Sequence, residues 1–285
     1  MSPCDELVGA RPPRSAPGRL AGWLRAAALG GLALCGLVAP PAPAQEPIRF
    51  TVVGGLAGVT QYTQLEEPFW SSEIRERSGG RVLATIRPFD GSGLRAQEML
   101  QLMRLGVVPF GTALLALAAE EEPELNAVDL PALNPDFAAL RLTVARYRER
   151  IRTVLRERHG IELLGLYTYP AQVLFCRRGF AGLGDLAGRR IRTSSVGQSE
   201  LMAALGAIPV RTPFAETVTA IRDGAVDCAV TGTLSGNEIG LADVTTHVHA
   251  LAINWGLSIF GANAGAWDAL PADARTLVRT GVAEL

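Results

Sequence analysis

Alternating apolar and polar residues open the informative part of the chain. Ile48-Arg49-Phe50-Thr51-Val52-Val53 has the period of a half-buried strand, and Gly54-Gly55 ends it in a tight turn. From Thr60 to Glu76 charges gather on one helical face while Leu65, Phe69 and Ile74 share the other. Ser78-Gly79-Gly80 stops that helix, and Arg81 to Ile86 is a second strand. Leu94 to Leu105 is an amphipathic helix closed by Gly106, with a short strand at Val107 to Phe110 after it. This alternation predicts parallel pairing with right-handed crossovers. A long glycine-poor run from Phe137 to Arg158 predicts a further helix. Strands are then expected at Ile161 to Tyr167, Val173 to Cys176, around Ile191, at Val226 to Val230 and at Ile259 to Ala262. Helices over Gln198 to Leu205 and Ala215 to Asp223 lie between them, so a second α/β lobe follows the first. Neither a repeat nor a low-complexity linker separates the two, which predicts lobes crossed by the chain more than once.

The N-terminus has a different character. Arg11, Arg14, Arg19 and Arg25 precede an apolar run from Ala26 to Ala39, followed by Pro40-Pro41-Ala42-Pro43-Ala44. Basic, then apolar, then small residues is the order of a secretory signal peptide, here residues 1–44. The apolar run falls short of the roughly 20 residues a bilayer span needs. Of the 285 residues 27 are basic, and every one is arginine. That absence of lysine removes Schiff-base chemistry, a phosphate-loop lysine and a lysine general base. After the leader the balance is 23 arginines against 26 acids, or −3, which gives no footprint for nucleic acid. Arg146, Arg148, Arg150 and Arg152, interspersed with Glu149 and Glu157, read as a solvated helix face. Only Cys176 and Cys228 of the four cysteines follow the leader. An oxidising compartment permits their pairing. Two separate buried thiols are the alternative, because spacing does not show whether their Cα atoms approach.

Catalytic apparatus is not evident. Histidine occurs only at His159, His247 and His249. The last two would share one face of a strand, yet a metal site wants three or four ligands. No serine sits in a G-x-S-x-G elbow, and there is no glycine-rich phosphate loop or dinucleotide fingerprint. Neither an enzyme nor a cofactor is expected.

The stretch from Gly182 to Asp227 carries the most information. It reads Asp185-Leu186-Ala187-Gly188-Arg189-Arg190-Ile191-Arg192, then Leu205-Gly206-Ala207-Ile208-Pro209-Val210, Phe214-Ala215-Glu216, and Ile221-Arg222-Asp223-Gly224-Ala225-Val226-Asp227. In order and spacing this resembles the solute-binding subunits of TRAP (tripartite ATP-independent periplasmic) transporters, of the dicarboxylate-binding type. Ser78 to Val82, Met99 to Gly106 and Trp267-Asp268-Ala269-Leu270-Pro271 extend the resemblance over nearly all of the exported chain. The resemblance implies a two-lobe α/β fold with a ligand cleft between the lobes: 45–168 mainly in lobe 1, 169–262 mainly in lobe 2, and 263–285 beginning a C-terminal helix. Family members continue with further helices past that point, so those helices are expected to be missing here.

The resemblance also implies the site. Arg192 corresponds to the family's recognition arginine, whose planar fork of donors suits a carboxylate. Gln172 and Thr231 fall where some members place an arginine and an asparagine. Gln172 lacks the charge, which implies a smaller or less charged second end of the ligand. Trp255 is a candidate for lining the pocket, with a core role as the alternative. Gly55, with Gly54 and Gly93, offers backbone N–H groups at first-lobe strand ends. Asp227 and Glu216 read as braces of the second lobe, and Arg189 and Arg190 as solvated neighbours. The implied function is capture of a small organic anion and delivery to a TRAP membrane permease, without ATP. The alternatives are a two-lobe sensor, the binding protein of another transporter class, or a periplasmic enzyme.

Overall fold

The computed structural model describes residues 46–285; the expected leader lies outside the described residues. Ten strands form two five-stranded sheets. They are β1 (Ile48–Gly54), β2 (Val82–Pro88), β3 (Phe110–Leu114), β4 (Ile161–Thr168), β5 (Gln172–Cys176), β6 (Arg190–Thr193), β7 (Ile208–Arg211), β8 (Cys228–Gly232), β9 (His247–Asn254) and β10 (Leu257–Asn263). The first sheet has the order β2-β1-β3-β10-β4 and the second β7-β6-β8-β5-β9. In each, three strands pair in parallel, and a fourth runs against them and pairs antiparallel with the fifth. Leu257–Asn263 falls within the stretch expected for lobe 2, yet it returns to the first sheet between β3 and β4. The chain therefore passes between the sheets twice, through Tyr169-Pro170-Ala171 and through Trp255-Gly256.

Local signals explain most boundaries. The helix Phe137–His159 starts where the Asp136 side chain accepts a bond from the Ala139 N–H at 2.8 Å. It stops where Gly160 takes the left-handed conformation, at φ 58°. The strand expected at Val107 to Phe110 instead begins at Phe110, after Pro109, which has no N–H to donate. The helical run over residues 61–77 departs from the 3.6-residue period, because much of it has wider i→i+5 turns. Its predicted face is thereby rotated: Leu65 is 41% exposed while Glu66 is 5% exposed.

Both sheets are covered on both faces. Val53, Leu100, Met103, Ile151 and Leu155 pack on one side of the first sheet. Phe50, Val52, Trp70, Phe260 and Val278 pack on the other, with Trp70 stacked on Phe260 at 5.1 Å. The helix Ala272–Glu284, announced by Trp267 to Pro271, joins this second cluster through Ala274, Val278 and Val282. In the second sheet Cys176 and Cys228 face each other across β5 and β8 and are joined by a disulfide, with Cα atoms 4.1 Å apart. His247 and His249 lie on β9, where the His249 ring stacks on Phe180 at 5.0 Å and His247 Nδ1 meets Thr246 Oγ1 at 2.7 Å.

Candidate functional site

Between the two sheets lies a cavity of about 560 Å³. That is a size suited to a small organic ligand. Alternation along β6 aims its side chains: Ile191 enters the second-lobe core, while Arg192, its neighbour, turns to the opposite face and into the cavity. Arg192 is 2% exposed. Its Nε donates to the Thr212 carbonyl at 3.0 Å and its Nη1 to the Val230 carbonyl at 2.9 Å. These bonds from the neighbouring strands fix the guanidinium plane. Among the described residues no carboxylate lies within ion-pair distance of it. Burial lowers its pKa to about 10, so it remains a cation at neutral pH.

Gln172 and Thr231 also line the cavity. Gln172 Nε2 donates to the Pro170 carbonyl at 3.2 Å. Thr231 is buried, and its hydroxyl makes no side-chain hydrogen bond among the described residues; the same holds for Ser235 beside it. A polar chain the sequence did not suggest runs along this wall. Ser194 donates through N–H and Oγ to Gln198 Oε1 at 2.9 and 3.0 Å, Gln198 Nε2 donates to Asn254 Oδ1 at 2.9 Å, and Asn254 Nδ2 donates to Asp129 Oδ2 at 3.2 Å.

Trp255 and Gly55 do not line the cavity. The Trp255 indole N–H donates to the Asn134 carbonyl at 3.0 Å and its ring packs against Phe137, so it serves the wall's outer side. Its backbone is held elsewhere too. Asp129, fully buried, accepts from the N–H groups of Trp255, Gly256 and Leu257 at 2.8, 2.7 and 3.2 Å. One carboxylate from the first half of the chain thus ties down the second crossing. Burial raises its pKa, opposed by those same bonds. The Gly55 N–H is spent on Glu66 Oε2 at 2.7 Å, which leaves it nothing to offer a ligand. A side chain at Gly54 would meet Tyr62 and Ile86 within 3 Å, so close packing explains that glycine. Gly93 stands in open space at φ 71°.

Glu66 itself is buried behind the first-lobe strands, with the Tyr167 hydroxyl 3.3 Å away. Burial raises its pKa to about 7. Of the expected braces, Asp227 binds the Arg190 N–H at 2.9 Å and its guanidinium at 3.1 Å. Glu216 instead stands at the cavity wall. Arg189 is not merely solvated: it donates to the carbonyls of Asp185, Arg178 and Gly179 at 2.7–2.8 Å.

Two contacts join the lobes across the cavity's flanks. Arg211 at the end of β7 forms an ion pair with Glu120, and Glu238 Oε1 accepts from the Thr60 N–H at 3.0 Å and from its hydroxyl. Beside the crossings, Thr168 Oγ1 donates to the Trp255 carbonyl at 3.1 Å. Two short adjacent crossings, flanked by these contacts, are the connections between the two sheets among the described residues.

Comparison with known proteins identifies the fold and the family. The C4-dicarboxylate-binding periplasmic protein DctP of Rhodobacter capsulatus is 26% identical over 234 residues, covering 80% of this chain and 66% of that protein. The chain thus spans about two thirds of the length of that relative. DctP7 of Bordetella pertussis, an extracytoplasmic solute receptor binding pyroglutamic acid, superposes with a TM-score of 0.77 at 23% identity, over 83% of this chain and 77% of that one. A TRAP periplasmic solute-binding protein of Pseudomonas aeruginosa with bound L-malate gives 0.73 at 20% identity, over 84% and 83%. The fold is the two-lobe α/β fold of these receptors. With residues 57–285 matching the family's sequence profile, the chain belongs to the bacterial extracellular solute-binding proteins, family 7.

Proposed function

We infer that this protein is the extracytoplasmic receptor of a TRAP transport system, capturing a small organic acid by its carboxylate and passing it to a membrane permease. One observation carries the reading: Arg192 is a buried cation facing an interlobe cavity with no counter-charge among the described residues. Leaving a buried charge unpaired is unfavourable, and a ligand carboxylate supplies both the charge and a bidentate partner. The acid docks on the second lobe, and first-lobe contacts then favour the closed state that the permease would read. The N-terminal pattern and the family agree with export to the periplasm. Binding rather than turnover is the role the site suits, since among the described lining residues no hydroxyl is hydrogen-bonded to a carboxylate or histidine that could act as its base.

A thermal-shift screen of mono- and dicarboxylates tests this. A ligand at about 100 times its Kd adds about 2.7 kcal/mol of stability. A panel of small carboxylates that leaves the unfolding midpoint unmoved, on protein freed of any co-purified ligand, would overturn the assignment.

A further inference from the structure

The polar chain on the second-lobe wall has a direction, and the direction is set at its buried end. Asp129 is fully buried, and its Oδ2 already accepts from the Gly256 and Leu257 N–H groups at 2.7 and 3.2 Å. An oxygen so placed takes only the NH2 end of the Asn254 amide, and Nδ2 donates to it at 3.2 Å. Asn254 is thereby held with Oδ1 turned the other way, where it accepts from Gln198 Nε2 at 2.9 Å. Gln198 is fixed in turn. Its Oε1 accepts from the Ser194 N–H at 2.9 Å and from the Ser194 hydroxyl at 3.0 Å. Both amides are buried. Flipping Asn254 would set acceptor against acceptor at Asp129, and flipping Gln198 would set donor against donor at the Ser194 N–H.

Ser194 is the end of this chain that a ligand meets. It lines the cavity, half-buried, two residues past Arg192. The Arg192 guanidinium reaches forward to the Thr212 carbonyl, and the pairing of Thr193 with Arg211 sets Thr212 level with Ser194. A carboxylate on that guanidinium brings its neighbouring substituent beside the Ser194 side chain. The Ser194 hydrogen is committed to Gln198, so its oxygen has only lone pairs to offer. A hydroxyl or N–H next to the acid group makes a bond there. An oxo oxygen meets another acceptor, or draws the hydrogen away from Gln198. Thr231 and Ser235 carry no such commitment and can turn to donate or to accept, so they select neither kind. We propose that Ser194 is a specificity-determining residue, held as an acceptor by Asn254 and Gln198, and that the site prefers acids with a hydrogen-bond donor beside the carboxylate. That preference rests on the carboxylate reading of Arg192, and it is a difference of affinities between otherwise matched ligands.

The experiment uses pairs of 2-hydroxy and 2-oxo acids that share a carbon skeleton, titrated by calorimetry into the ligand-free protein. In the pair that binds best, the tighter enantiomer of the hydroxy acid is expected to bind at least about fivefold more tightly than the oxo acid. Ser194→Ala should bring that ratio to about one by weakening the hydroxy acid alone. Gln198→Met, which releases the Ser194 hydrogen, should also bring it towards one, but by strengthening the oxo acid. Both acids weakened alike in folded Gln198→Met would overturn the positioning role of the chain. A ratio unchanged in Ser194→Ala, or an oxo acid binding equally well in the parent while Arg192→Met abolishes both, would overturn the donor preference and leave the carboxylate reading intact. Silence of every pair, together with a wider carboxylate panel, would overturn both.

Discussion

Arg192→Met separates the ligand's share of the Arg192 interactions from the fold's. In the ligand-free protein the guanidinium is buried at some expense: a pKa lowered from 12.5 to about 10 corresponds to roughly 3 kcal/mol of disfavoured charge. Methionine, unbranched and adaptable, fills most of the same volume without that burden. It leaves the Thr212 and Val230 carbonyls without their donors, at about 1–3 kcal/mol each. The opposing effects nearly cancel, so the variant's own stability is expected within about 2 kcal/mol of the parent. Ligand binding has no such compensation. Removing one partner of a buried pair is worth about 3–5 kcal/mol, or more than about a hundredfold in Kd. At a ligand concentration 100 times the parent Kd, the parent gains about 2.7 kcal/mol, a midpoint rise of about 5–11 °C for a chain of this size. The variant should rise by about 1 °C or less under the same conditions. Differential scanning calorimetry with circular dichroism as the folding control reads both quantities. A folded Arg192→Met variant that keeps more than half of the parent's ligand-induced rise would refute the assignment of the carboxylate to this arginine.

Three further outcomes follow from groups outside the binding wall. Glu66 has its folded pKa raised from 4.5 to about 7 by burial, so its contribution of about 3 kcal/mol is present below pH ~4.5 and lost as pH rises through about 7. Urea melts from pH 4 to 8 should show that decline, and Glu66→Gln, which keeps an acceptor for the Gly55 N–H, should flatten it; parallel curves for parent and variant would count against the account. Asp129→Asn replaces one of the two acceptor oxygens by an amino group, leaves at least one of three backbone N–H groups at the second crossing without its acceptor, and should destabilise by about 1–3 kcal/mol in denaturant melts; a change under about 0.5 kcal/mol would show the crossing held by other means. The disulfide closes a loop with a sequence separation of 52 residues, so its reduction should lower stability by about 2–4 kcal/mol in melts run with and without reductant.

What could be read in advance was local. Asp185 to Arg192 announces a strand ending in an arginine, and the strand, its buried Ile191 and its cavity-facing arginine all appear. Most helices and strands were legible for the same reason, since apolar period is a property of consecutive residues. Features made by distant residues were not. Ile259 to Ala262 looked like a strand, but nothing within it indicates that it returns to the first sheet. Asp129 lies 126 residues before the Trp255 N–H it captures, and an isolated aspartate in a loop gives no sign of that task. Trp255 was a reasonable lining candidate by position; its indole was claimed by Asn134, equally far away. The burial of Glu66 in place of Leu65 was hidden by a change of helical period, which a 3.6-residue reading cannot register. The apolar cavity wall was illegible for a simpler reason. Leu114 ends β3 and Leu117 follows it, and both resemble any core positions until the opposite lobe faces them.

The division of labour between the lobes has a thermodynamic consequence. The second lobe holds the buried cation with the Thr231 and Ser235 hydroxyls, while the first contributes leucines and Phe89 together with Arg95, Gln97 and Tyr169. An acid can therefore meet Arg192 before closure, when water still screens the pair and the gain is modest. Bringing the first lobe over it excludes water, which strengthens the ion pair and buries the ligand's apolar body in one step. A ligand lacking the carboxylate leaves Arg192 desolvated and unpaired on closure. Such a ligand makes the closed state less favourable even where it binds the open one, so a closing cleft would respond to differential affinity rather than to occupancy. On the proposed function, closure would then be a chemical test of the ligand, and the permease would receive only what has passed it.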